Sequence, residues 1–174
     1  MYTLLTMKDW QAFVLLTWTI ILSGVISGFT LVSGIGYIVE ISITLSIIGT
    51  LIVLSWLYAV GSGLESRMPM TARLSGAFFR FNLIYLLLYT LAFQILWPAE
   101  GIRLFLGSLT TVFDIYSVVA LLDVLYFVAS ALVSVEKGRP GRFMEYLGPA
   151  IAAFLFPVGI WFLQPRIRKI FGGF

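Results

Sequence analysis

The chain has 174 residues, of which 60% are hydrophobic, 16% aromatic and only 11% charged, with a formal net charge of +3. A soluble domain carries about 25% charged residues, so this composition excludes a soluble globule, a disordered chain and a nucleic-acid binder. It predicts one integral domain, residues 1–174, of the all-α, polytopic helical membrane class.

Cys and His are both absent. That removes thiolates, imidazole bases and the usual zinc ligands, so neither cofactor nor metal is expected. The first apolar run, 11–34, outlasts the core of about 7–15 residues in a cleaved signal and is read as a retained span. A tight turn, Ser33-Gly34-Ile35-Gly36, leads into a second span over 37–60. A polar loop from Gly61 to Gly76 follows, with Glu65, Arg67, Pro69 and Arg73. The third span, 77–97, stops at Pro98, and a connector from Glu100 to Thr111 carries Arg103. The fourth span is centred on 112–134, before the basic turn Glu136-Lys137-Gly138-Arg139-Pro140-Gly141-Arg142.

The last apolar stretch, 146–163, is barely long enough to cross a bilayer and holds Pro149, Pro157 and Gly159. If it crosses, the tail residues Arg166, Arg168 and Lys169 join Arg103 on one face, opposite the other basic residues. If it dips in and returns, Arg103 alone stays on the outer face. The positive-inside rule favours the second arrangement, a re-entrant segment broken at Phe156-Pro157-Val158-Gly159, over a fifth span. The N-terminus, the 61–76 loop and the basic tail are then cytoplasmic.

Val135-Glu136, the run Phe156-Pro157-Val158-Gly159-Ile160-Trp161-Phe162-Leu163-Gln164-Pro165-Arg166-Ile167 and then Lys169 form a distinctive C-terminal pattern. It resembles a family of small bacterial multi-span inner-membrane proteins without an assigned activity. The resemblance is confined to the C-terminal third. It implies a bacterial inner-membrane location and no sharper function.

Asp123 stands at the centre of the fourth span, where an ionised carboxylate costs about 2.5–3.5 kcal/mol on insertion scales. Helical spacing and depth bring the hydroxyls of Tyr116, Tyr85 and Tyr89 within reach of it. One reading is a proton or cation relay; the other is polar glue between helices. Arg80, inside the third span, is expected to snorkel or to pair with Glu136 or Glu145. Glu40, Glu100 and Asp114 form an outer acidic rim. Asp114 and Asp123 stand nine positions apart, which points them to opposite helix faces and makes them a poor catalytic dyad.

Ser23-Gly24-Val25-Ile26-Ser27-Gly28 is a doubled small-xxx-small pattern that admits a second helix at close range, and Gly148 with Ala152 repeats the spacing. Bulk at Gly24 or Gly28 is expected to disturb packing, whereas Gly107, in a connector, is expected to tolerate it. Lys137, Arg139, Arg142, Arg166, Arg168 and Lys169 are expected to face anionic lipid. Three functions fit: a non-enzymatic module that oligomerises as a pore or serves a larger membrane complex, a transporter centred on Asp123, or, least favoured, a membrane enzyme.

Overall fold

The computed structural model describes residues 5, 7–33, 36–72, 75–96, 100–155 and 158–172. All regular structure among them is helical: α1 (Asp9–Ser33), α2 (Gly36–Glu65), a 3-10 turn (Met70–Ala72), α3 (Gly76–Leu96), α4 (Glu100–Lys137), α5 (Phe143–Phe154) and α6 (Ile160–Phe171). Three segments are long and apolar enough to cross a membrane: Glu40–Glu65, Gly76–Gln94 and Leu109–Lys137. At a rise of 1.5 Å per residue even the shortest of them reaches about 28 Å, close to the hydrocarbon thickness of a bilayer. Helices adjacent in sequence pack on each other, α2 also meets α4, and α6 returns to lie against α1.

The tightest packing gathers at one end, where α1 begins, α2 ends, α3 begins and α4 ends. Leu16, Trp56, Leu64, Phe79, Leu132 and Ile167 are each at most 1% exposed there. Phe79 stacks on Phe127 with ring centroids 4.4 Å apart, locking the start of α3 to the end of α4. Toward the other end, Trp18, Ile21 and Val25 of α1 and Val112, Phe113 and Ile115 of α4 are exposed apolar side chains.

Three expected boundaries are corrected. The second helix does not end at residue 60 but runs on to Glu65, through Gly61 and Gly63. These glycines serve close packing instead of a turn: a methyl group on Gly61 would overlap the Phe79 ring, and one on Gly63 would press on Phe171. The connector before the fourth span is itself helical and joins α4 across a kink at Gly107 (φ 37°, ψ −114°). That left-handed φ favours glycine, so the expected tolerance of Gly107 to bulk is overturned although the space around it is open.

The third correction concerns the C-terminal stretch. The residues after 163 are no solvated tail, because α6 carries the helix on to Phe171. Ile160, Leu163, Gln164, Ile167 and Phe171 recur at intervals of one helical turn and are buried. Each of α5 and α6 has 12 residues, about 18 Å of helix, and the two pack on each other. Gly159 makes the return possible, since a Cβ there would collide with the Ala152 carbonyl oxygen. The Gly34-Ile35 turn, Arg73, Pro98, the Phe156-Pro157 pair and the side chains of Glu100 and Arg103 lie outside the described residues.

Candidate functional site

The antiparallel seam between α3 and α4, which hold two of the three segments long and apolar enough to cross a membrane, contains a chain of polar side chains. Asp123 is the middle residue of the segment Leu109–Lys137. Its Oδ2 accepts a hydrogen bond of 2.8 Å from the Asn82 amide. The Tyr116 hydroxyl donates to Asn82 Oδ1 at 2.9 Å. Asn82 is 1% exposed, so both ends of its amide are satisfied away from lipid. One side chain of α3 thereby joins two of α4 that lie two helical turns apart.

The seam continues toward the open end. Tyr85 meets Tyr116 edge to face, with ring centroids 4.5 Å apart. Its hydroxyl donates to the Phe113 carbonyl at 2.8 Å. One turn further, the Tyr89 hydroxyl donates to Asp114 Oδ1 at 2.6 Å. The expectation that Tyr85, Tyr89 and Tyr116 would donate to Asp123 is therefore corrected. Tyr85 takes a backbone carbonyl, Tyr89 takes Asp114, and Tyr116 reaches Asp123 only through Asn82. Asp114 and Asp123 nonetheless both engage α3, because Tyr89 and Asn82 reach them from positions seven residues apart. The two carboxylates remain about 13 Å apart along the axis.

The tightly packed end is held by ion pairs. Arg80 bonds Glu65 at 2.8 Å, which corrects its expected pairing with Glu136 or Glu145. Glu136 instead receives both Nε and Nη2 of Arg166. Glu145 receives Lys137 at 2.7 Å and Arg139 at 3.0 Å, and it caps α5 by accepting the Arg142 backbone N–H at 2.8 Å. The Lys137 ammonium, then that N–H and Arg139, hold the Glu145 carboxyl down from 4.5 to about 2. Arg168 pairs with Asp9 at 3.4 Å. Arg67 donates to the Ile170 carbonyl and lies 4.3 Å from the centroid of the Phe171 ring. Of the six basic residues expected to face anionic lipid, Lys137, Arg139, Arg166 and Arg168 thus have acidic partners inside the chain. Arg142 and Lys169 enter no ion pair among the described residues.

Sequence reasoning passed over Gln164, which is fully buried in α6 and donates from Nε2 to the Met7 carbonyl at 3.2 Å. The signal was its place between Ile160 and Ile167 on one helical face. Asn82, uncharged and two residues from Arg80, is buried in α3 and joins Tyr116 to Asp123 across the seam. Glu40 is exposed near the start of α2, and Asp114 is exposed early in the apolar segment Leu109–Lys137 of α4.

Among the described residues, an added Cβ at Gly24 or Gly28 meets nothing within 4 Å, so no described part of another helix covers these two positions. Gly148 is likewise open and lines a cleft of about 410 Å³ between α5 and α6, together with Ala152, Leu155, Phe162 and Arg166. Comparison of the chain with family models, curated proteins and solved structures finds no match.

Proposed function

We propose that the chain is a four-span membrane protein with an embedded α5–α6 hairpin, working as a non-enzymatic module: a pore-forming or accessory subunit that docks other transmembrane helices. The carrying observation is the open stripe at Gly24 and Gly28. Small residues promote helix association in lipid by letting backbones approach, and this pair meets no partner among the described residues. α1, with 25 residues, supplies the fourth span.

The contacts of α6 support a cytoplasmic placement of the packed end. Arg166, Arg168 and Ile170 meet Glu136, Asp9 and Arg67, so the basic end of α6 lies beside the ends of α1, α2 and α4. That arrangement leaves Arg103 as the one outer basic residue, as the positive-inside rule prefers. It also agrees with the resemblance to bacterial inner-membrane proteins.

A proton or cation relay is the second reading, favoured by a half-buried Asp123 at mid-span. The interposed Asn82 counts against it, since a side-chain amide is a poor carrier of protons between Tyr116 and Asp123.

The assembly reading is tested by subunit counting in lipid vesicles. Wild-type protein is expected to form oligomers, and Gly24→Leu or Gly28→Leu to shift them to monomers by tenfold or more in association constant. Among the described residues nothing lies within 4 Å of the new Cβ in either variant, so the monomer should stay folded. Unchanged assembly in both variants overturns the reading.

A further inference from the structure

We propose that the face of α4 around Asp123 binds a transmembrane helix of a different protein that carries a Lys or Arg at mid-membrane depth. The inference rests on the assembly reading and adds the chemistry of a partner. Asp123 is the middle residue of its spanning segment and is only half-buried. Oδ2 accepts from Asn82, while Oδ1 accepts no hydrogen bond among the described residues. No Lys or Arg pairs with Asp123 among them either; Arg80, the basic residue of α3, is taken by Glu65.

Acids at this depth face a bundle interior, pair with a cation or stay protonated, because the hydrocarbon offers no compensation. Asp123 is not turned fully inward. Val119, Leu122 and Tyr126, its neighbours at one residue or one helical turn, are 51%, 51% and 45% exposed. Together they make an apolar stripe with a carboxylate at its edge, a shape that takes an apolar helix with one central cation. A second copy of this chain does not fit. Its sequence has no Lys or Arg between 9 and 66 and none between 104 and 136, and the one basic residue of α3, Arg80, is held by Glu65. Charge complementarity therefore points to a partner of another sequence.

The test uses the full-length protein in lipid vesicles with three synthetic transmembrane helices, identical except for a central Lys, Gln or Leu. Association is read by energy transfer. The central-Lys helix is expected to bind wild type at least tenfold more tightly than the Leu or Gln helix. Asp123→Asn should bring Lys binding down to the Leu level, Asp123→Glu should keep it, and Asp114→Asn should leave it unchanged. Equal binding of the Lys and Leu helices, or of the Lys and Gln helices, to wild type overturns the proposal without recourse to any variant. So does undiminished Lys binding in a folded Asp123→Asn. Subunit counting on the same vesicles separates the two claims. Self-assembly without Lys preference defeats the partner alone, and loss of both defeats the assembly reading with it.

Discussion

The two halves of the bundle treat their acids differently. In the packed half, Asp9, Glu65, Glu136 and Glu145 each sit beside a cation. In the spanning half, Asp114 and Asp123 meet only neutral donors, a tyrosine hydroxyl and an amide. Ion pairs near water add little because solvent already screens each charge. In hydrocarbon, a missing partner leaves a polar group with no substitute. The packed half should therefore tolerate loss of single charges, while the seam should depend on single neutral bonds. The apolar burial runs the same way: the core residues crowd toward the charged end, and the glycine stripe of α1 lies in the open half.

The largest effect expected from this contrast is at Asn82. Asn82→Leu removes the donor to Asp123 and the acceptor of Tyr116 in one step, at a site 1% exposed. The loss should be about 1–3 kcal/mol, the usual consequence of leaving buried polar groups unpaired. Unfolding in mixed detergent micelles measures it. A loss below that of a single charge removed at the packed end would break the comparison.

That smaller loss is expected at Glu136. Glu136→Gln weakens a two-point contact with Arg166. Both side chains are partly solvated, so the cost should stay below about 1 kcal/mol by the same unfolding measurement. Its salt dependence should sharpen the contrast: added salt should narrow the gap between wild type and Glu136→Gln but leave the Asn82→Leu gap unchanged, because screening acts on exposed charges.

Much of this architecture was legible in the residues. Composition alone predicts the helical membrane class, and the three segments long and apolar enough to cross a membrane fall within apolar runs evident by eye. Asp123 stood out because a charge in an apolar run is conspicuous. Its partner did not, because Asn82 is uncharged and depth along a span does not say which way a side chain points. Tyr85 and Tyr89 lie at a suitable depth for Asp123 but hang toward Phe113 and Asp114. Gly61 and Gly63 looked like turn residues, since a glycine that admits an aromatic ring is spelled the same as one that bends the chain. The ion pairs were unreadable for a related reason: level along the span offered Arg80 two acids, Glu136 and Glu145, and only packing brings Glu65 to it. α6 was within reach, because the spacing of Ile160, Leu163, Gln164, Ile167 and Phe171 is visible once the basic residues between them are set aside.

The smallest expected effect is a pH dependence at Glu145. Its carboxyl titrates at about 2 in the folded chain, against 4.5 in the absence of its partners, chiefly because of Lys137. A lowered folded value means that the folded state holds the ionised form. The stabilisation is complete above 4.5, where Glu145 is ionised whether folded or not. Below 4.5 the unfolded chain takes up the proton first, and the advantage drains away until the folded carboxyl titrates near 2. Glu145→Gln lacks this titration. The difference in thermal midpoint between wild type and Glu145→Gln should be constant above about pH 5, shrink between 4.5 and 2, and level off below. The other ionisable groups of the packed end are present in both chains and cancel in the difference. A gap that stays constant down to pH 2 would mean that Lys137 and Arg139 do not hold the charged form of Glu145, and that this cluster adds nothing to the order of the packed end.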